Sequence, residues 1–317
     1  MNQSLVGRSA PAHHHCCLEL VATWLLLTGA ASAGDLFVNN ATGDDVRNGR
    51  SLESKGAAGG PVRTIAQALR LARAGDRIVL AKTEEPYRES LTLQASKHSG
   101  IAGTSFEIVG NGATLDGTRP VRPNAWQHVE ADLYRFPPSA KSFHVLYLDG
   151  KPAARKMSPK PGQLPELQEL EYCLLQGHIY FRAARGKLPS EHNLSHTVLP
   201  VGITLYEVRD VVIHDLTVQG FQLDGINAHD GVFGAQLTGL VCRGNGRSGI
   251  SVGGASRVRI DHCLVGNNGS AQVRTEGASI THLISNDLID DGVVPPLLRR
   301  GGRVHIQKDP PADPDKP

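Results

Sequence analysis

Aromatic side chains are scarce in this chain: 7 Phe, 6 Tyr and 2 Trp among 317 residues. Methionine is scarcer still, at 2, so any core has to be built from small and branched aliphatic groups. The 5 cysteines are too few for a disulfide framework, and none is grouped with histidine at a zinc-site spacing. Neither charge dominates. With 33 Lys+Arg against 31 Asp+Glu, the net charge is +2, and without a basic block this excludes a nucleic-acid partner held by bulk electrostatics. No run approaches the roughly 18 apolar residues of a membrane span, so no membrane partner is expected. What the chain does have is glycine, 35 residues with no three-residue period, and 40% apolar content. That excludes collagen and is enough for a globular core.

Arg8 and His13, His14 and His15 precede a short apolar run at 20–27, which ends at Ala31-Ser32-Ala33. A basic start, an apolar middle and a small-x-small site read as a secretory leader over 1–33, giving a secreted or periplasmic protein. A retained anchor is the alternative. Cys173, Cys242 and Cys263 remain after that segment; the last two fall on inward positions of the repeat below and read as small apolar core residues.

The segment 34–117 opens with a strand at 35–40 and a loop rich in Gly, Asn and Asp. Thr64-Ile65-Ala66-Gln67 then reads as a capping box, with Ile65, Ala68, Leu69 and Ala72 on one helical face and Gly75 as the stop. One narrow apolar stripe cannot fold alone, so this helix has to cover something. Short strands follow at 77–80, 89–93, 106–110 and 113–117.

The strongest signal is internal repetition. Val211, Ile213, Leu216, Val218 and Ile226 map onto Ala235, Leu237, Leu240, Cys242 and Ile250 by adding 24, and adding 23 more gives Val258, Ile260, Cys263, Val265 and Val273. The next step of 23 reaches Thr281, Leu283, Asn286 and Leu288, and one more reaches Val304 and Ile306, while Ile203 precedes Ile226 by 23. Three short strands per period form a β-coil whose rungs stack at roughly 4.8 Å. A leucine-rich repeat needs a Leu consensus and a helical half that are missing here, and hexapeptide coils repeat near about 18. Asn245-Gly246, Asn268-Gly269 and Asp291-Gly292 align as a turn ladder, in which amides pair and glycine takes φ > 0.

Thr64-Ile65, Ala68-Leu69, Ala72, Gly75-Asp76, Ile78, Leu80 and Tyr87-Arg88-Glu89 resemble the opening of right-handed parallel β-helix proteins of the pectin-lyase-like superfamily. The resemblance implies that the helix plugs the N-terminal end of the coil, where backbone groups would otherwise lie unpaired. Between 118 and 196 the register breaks and most of the aromatics appear. With Trp126, Asp149-Gly150-Lys151 and Ala154-Arg155, this stretch resembles the antiparallel insertion that precedes the main coils of carbohydrate-active β-helix enzymes. The expected fold is all-β: a right-handed, single-stranded parallel β-helix with an N-terminal capping helix and a small antiparallel β insertion. Repeat coils fill 197–308, and the Pro- and Asp-rich 309–317 reads as a disordered tail.

The repeat turns outward positions into columns. Thr204, Asn227, Ser251 and Arg274 form one; Tyr206, His229, Gly253 and Glu276 form the next. His229 and Glu276 then lie two rungs apart, about 9–10 Å, with Gly253 leaving an open notch between them. A lyase acting on a uronic acid needs its carboxylate neutralised, a proton removed and the leaving oxygen protonated; Arg274 suits the first task, His229 and Tyr206 the others. A hydrolase needs two carboxylates, which Glu276 with Asp230 or Asp224 supplies. An Asp224-Gly225 turn and plain surface polarity are the competing readings. The catalytic candidates are thus His229, Arg274, Glu276 and Tyr206, with Asn227, Asp230, Arg259 and His282 binding substrate. Arg259 and His282 belong to a third column with Gln236 and His305, beside Arg257 and Arg303, either a seat for an anionic polysaccharide or solvated surface. No cofactor is expected. Many lyases of the superfamily use Ca²⁺, but Asp261, Asp287, Asp290 and Asp291 form no obvious cluster. The pectate-lyase metal grouping, the paired-Asp motifs of polygalacturonases and the Asp-Pro-His-Glu motif of mannuronan epimerases are all missing. A monomer that cleaves or modifies an acidic polysaccharide is expected; a non-catalytic polysaccharide-binding β-helix or a shortened relative of the enzymes is the alternative.

Overall fold

The structure, a computed structural model, describes residues 33–56, 58–139, 142–290 and 292–308. The leader up to Ser32, Asp291 of the turn ladder and the tail 309–317 lie outside the described residues.

The repeat period becomes a stack of parallel strands. The first wall comprises Asp35–Val38, Arg77–Leu80, the first half of Phe106–Asp116, the first half of Val211–Gln219, Phe233–Thr238 and Arg257–Asp261, then the second halves of Ala271–Ile284 and Leu297–Gln307. A second wall stacks the later halves of Phe106–Asp116 and Val211–Gln219 on Val241–Arg243, Leu264–Gly266 and Asp287–Leu288. The third wall stacks Leu91–Gln94, Ile203–Tyr206, Asp224–Asp230, Ser248–Val252 and the first halves of Ala271–Ile284 and Leu297–Gln307. Each register pair is the one the periods of 24 and 23 require: Ile203 faces Ile226, Ile226 faces Ile250, and Ile250 faces Val273. This is a right-handed parallel β-helix. All four of those side chains are fully buried, and burial of each stabilises by about 1.5–3 kcal/mol.

The chain turns from first to second wall on one left-handed residue per rung: Asp215, Gly239, His262 and Ser285, with φ of 53°, 60°, 50° and 47°. The next corner carries the Asn ladder. Asn245 Nδ2 donates to Asn268 Oδ1, and Asn268 Nδ2 donates to Gln272 Oε1. Gly292 takes the expected positive φ, 68°, but the other two glycines beside the ladder act differently from expectation. Gly246 and Gly269 keep ordinary φ; they are required because a Cβ on Gly246 would land on the Phe143 carbonyl, and one on Gly269 on the Gly246 carbonyl. Cys242 and Cys263 lie inside the coil, and they and Cys173 are buried free thiols.

The helix Ile65–Leu71 packs Ile65, Ala68 and Leu69 over the first coil. Its capping box is only half formed. Thr64 Oγ1 accepts from Gln67 N at 3.1 Å, but the Gln67 amide goes to the Asp45 carbonyl, and Asp45 Oδ1 takes the Thr64 N–H. Glu89 supplies the rest, accepting from Ile65 N and Ala66 N at 2.8 Å each. The helix also ends earlier than expected: Ala72 is already extended, and Gly75, with φ 79°, shapes the turn that follows.

The inserted segment builds two further sheets. One joins Gln127–Glu130, Leu133–Phe136, His178–Arg182 and Glu171–Leu175; the other joins Thr118–Pro120, Leu194–Thr197, Leu146–Leu148 and Lys151–Pro152. Every pairing is antiparallel except that of Ala154–Arg155 with Glu171–Leu175. The aromatics form its core, with Trp126 edge-on to Phe136 at 4.7 Å. Two side chains pin it to the coil: Tyr147 Oη donates to the carbonyls of Arg243 and Gly244, and Arg155 Nη1 donates to Gly269 O.

Candidate functional site

The third wall presents the two expected columns on its outer face. Thr204, Asn227, Ser251 and Arg274 are register partners in succession. The second column slips at one place. A bulge between Leu205 and Tyr206 sets Tyr206 opposite Asp230 instead of His229, because one extra residue is taken up on the longer strand before the turn at Gly231, where φ is 62°. The rings of Tyr206 and His229 still meet, 5.9 Å between centroids and 33° between planes.

Gly253 does lie between His229 and Glu276, yet the notch is not open. A Cβ on Gly253 would sit 3.1 Å from the His229 carbonyl oxygen and 3.4 Å from Glu276 Cγ. Glu276 therefore leans over the glycine toward His229. Its Oε2 receives both Nε and Nη2 of Arg274, at 3.1 and 2.7 Å. The Arg274 side chain is only 16% exposed.

Arg247 was not foreseen. It grips Asp224 through Nε and Nη2 while Ser248 Oγ donates to the same carboxylate, and Asp224 is wholly buried. Asp224 is thus in a strand and in an ion pair, not in a turn, and cannot face a substrate. Its carboxylate, aided by Glu276, raises the pKa of Arg247 above the ordinary guanidinium value. No column could have flagged Arg247, since its partners one rung away are Leu223 and Ser270.

The remaining candidates are distributed unevenly. Asp230 Oδ1 accepts from Ala255 N and Gly231 N at 2.8 Å each, and those N–H groups hold its carboxyl below the usual range. Tyr206 shares a hydrogen bond with Glu207, which raises its phenol above the usual pKa. Asn227 is half-buried within the patch, and His229 is exposed. Arg259 and His282 lie on the first wall, away from these groups. There Arg259 donates to Asp261 at 2.6 Å, and His282 stacks on His305 at 4.8 Å.

Tyr206, His229 and Asp230 are the exposed part of the patch, while Ser251 and Gly253 are buried. A cleft beside the insertion, about 360 Å³, is lined by Val145, Arg155, Tyr172, Asn267, Asn268 and Gly269, and no patch residue lines it. Among the described residues no three His, Cys, Asp or Glu side chains converge on a metal position. Asp261 is taken by Arg259 and His262.

No family signature and no curated protein sequence matches the chain. Solved structures do. A glycoside hydrolase superposes with a TM-score of 0.59 at 10% identity, covering 80% of this chain and 73% of its own. XylC in complex with xylose gives 0.37 at 13% identity over 86% and 69%, and pectate lyase Pel9A gives 0.32 at 10% over 89% and 80%. At such identity the likeness to the glycoside hydrolase is one of fold. The β-helix architecture is shared with a carbohydrate-active protein. No helix of the described residues is long and apolar enough to cross a membrane.

Proposed function

We propose that the protein is an exported enzyme that cleaves an acidic polysaccharide by β-elimination on the outer face of the third wall. The observation that carries this reading is that an imidazole and a phenol, His229 and Tyr206, lie ring to ring on the outer side of the third wall, with the Arg274–Glu276 pair two rungs beyond His229 on the same face. Arg274 neutralises a uronate carboxylate, which acidifies the neighbouring C5–H. His229 takes that proton. The released electron pair forms the C4=C5 double bond as the C4–O bond breaks, and Tyr206, whose raised pKa keeps it protonated, protonates the leaving oxygen. Glu276 fixes Arg274 in place.

Hydrolysis is less well supported, because the carboxylates that would partner Glu276 are both committed: Asp224 to Arg247 and Asp230 to two backbone N–H groups. A second reading, glycan binding without turnover, is favoured by one contact. Both Arg274 donors that point along the strand are already spent on Glu276. Ultraviolet absorbance of unsaturated uronate products, screened over pectate, alginate and glycosaminoglycans, separates the two. A signal supports elimination. Silence on all three, with retarded migration in gels containing the same polymers, supports binding alone.

A further inference from the structure

We propose that the outer face of the first wall is a second, separate binding surface, for a linear polysaccharide carrying an acidic group on every second sugar. The surface does not depend on the chemistry proposed for the third wall. Its central feature is a column that runs Arg209, Phe233, Arg257, Ile280, Arg303 through consecutive rungs. Arginine therefore recurs on alternate rungs, at a spacing of about 9.5 Å. All three arginines are exposed. None is in an ion pair among the described residues.

The first two arginines are held in place by a shared ring. The Arg209 guanidinium lies 4.8 Å from the Phe233 centroid and that of Arg257 lies 5.6 Å from it. Two like charges on one aromatic ring repel each other, and the cation–π attraction offsets that repulsion. The result is a pair of guanidinium groups whose side-chain freedom is already reduced before a ligand arrives, which lowers the entropic cost of binding. Two residues past Arg257, Ile280 and Arg303, and three past Phe233 across a bulge, runs a second column: Gln236, Arg259, His282, His305. Asp261 engages Arg259 and His262, while the imidazoles of His282 and His305 lie flat against one another at 14°. That second column offers polar and stacking contacts beside the arginine row. The stripe ends toward the N-terminal coils, where Val212 and then Glu107 continue the second column.

The spacing selects the ligand class. Each sugar of an extended chain joined by 1,3 and 1,4 linkages advances by close to one rung, so alternate sugars meet alternate rungs when the chain lies along the coil axis. Phosphates of a duplex recur at about 3.4 Å per strand, far finer than the arginine row, and a row one residue wide cannot follow them.

The test measures binding of the full chain to hyaluronate, which bears a carboxylate on every second sugar, by affinity electrophoresis and calorimetry. Dextran is the neutral control and duplex DNA the competing polyanion. The expected result is retardation by hyaluronate that weakens with salt. The triple variant Arg209→Ala, Arg257→Ala, Arg303→Ala should lose roughly tenfold or more of the affinity. Phe233→Leu, which keeps every charge but removes the shared ring, should lose affinity as well, and Lys187→Ala, an exposed cation on the insertion, should bind as wild type. Unchanged binding by the triple variant, no binding by wild type, or tighter binding of duplex DNA at the same salt would each overturn the proposal. Loss of hyaluronate binding in Arg274→Ala alone would return the contact to the third wall and overturn it too.

Discussion

The side-chain amide of Asn245 donates to Oδ1 of Asn268 at 3.0 Å, one rung below, and both residues are closed off from water. Asn268 Oδ1 also receives the Asn245 backbone N–H, while its own amide donates to the carbonyls of Cys242 and Gly266. One side chain thus satisfies groups on two rungs. Asn268→Ala should cost about 2–3 kcal/mol, because it strands several buried polar groups at once. Gly269→Ala should cost at least as much, since its Cβ would meet the Gly246 carbonyl. Urea midpoints with unchanged slopes measure both; wild-type midpoints would show that the ladder is not what joins the coils.

Acid should weaken the insertion before the coil. Burial, with His144 adding to it, pushes the pKa of His196 down to about 4. In the unfolded chain an ordinary histidine takes up its proton near about 6.5. The folded form is therefore favoured fully above that pH, and stability is lost as the pH falls from about 6.5 to about 4, by up to roughly 3 kcal/mol. Thermal melts followed by tryptophan fluorescence across that window should show the loss. His196→Asn should flatten it, and a wild-type slope in that variant would assign the effect elsewhere.

The thiols should be silent in the folded protein. Burial raises Cys263 to about 11 and Cys242 well above the usual thiol value, and Cys173 is raised for the same reason. The thiolate fraction that attacks a disulfide reagent is then negligible at neutral pH. With Cys16 and Cys17 replaced by serine, titration with Ellman's reagent should report no reaction in buffer and reaction of the three remaining thiols in denaturant; rapid labelling of that variant in buffer would contradict the packing.

Glu276→Gln separates two roles for that carboxylate. If it only holds Arg274, the amide loosens the grip, leaves the guanidinium freer to meet a uronate, and lowers KM while kcat changes little. A fall in kcat of about a hundredfold or more would instead make Glu276 an acid or base in the reaction.

The coil was legible because side chains that share a slot share a chemical character: Ile226, Ile250 and Val273 are interchangeable in a dry stack. The corner between first and second walls was not. Asp215, Gly239, His262 and Ser285 have only a left-handed φ in common, and no side-chain pattern announces it. Spacing also gave the outer columns, but it could not show the bulge that moves Tyr206 opposite Asp230, since a bulge changes pairing without changing the period. Nor could it show that Asp224 is sealed by Arg247, a contact between a strand and the turn of the next rung. Of the three ladder glycines, Gly292 does take a left-handed φ, while Gly246 and Gly269 were placed correctly and explained wrongly: what they avoid is a carbonyl oxygen, not a forbidden φ.

The most direct test of the account is the turnover of a uronate polymer by wild type, His229→Ala and Arg274→Ala, with circular dichroism recorded on each. Wild-type protein should release unsaturated ends, and both variants should lose that activity while keeping the wild-type spectrum. Wild-type rates in both variants would show that the third wall is not where the chemistry happens.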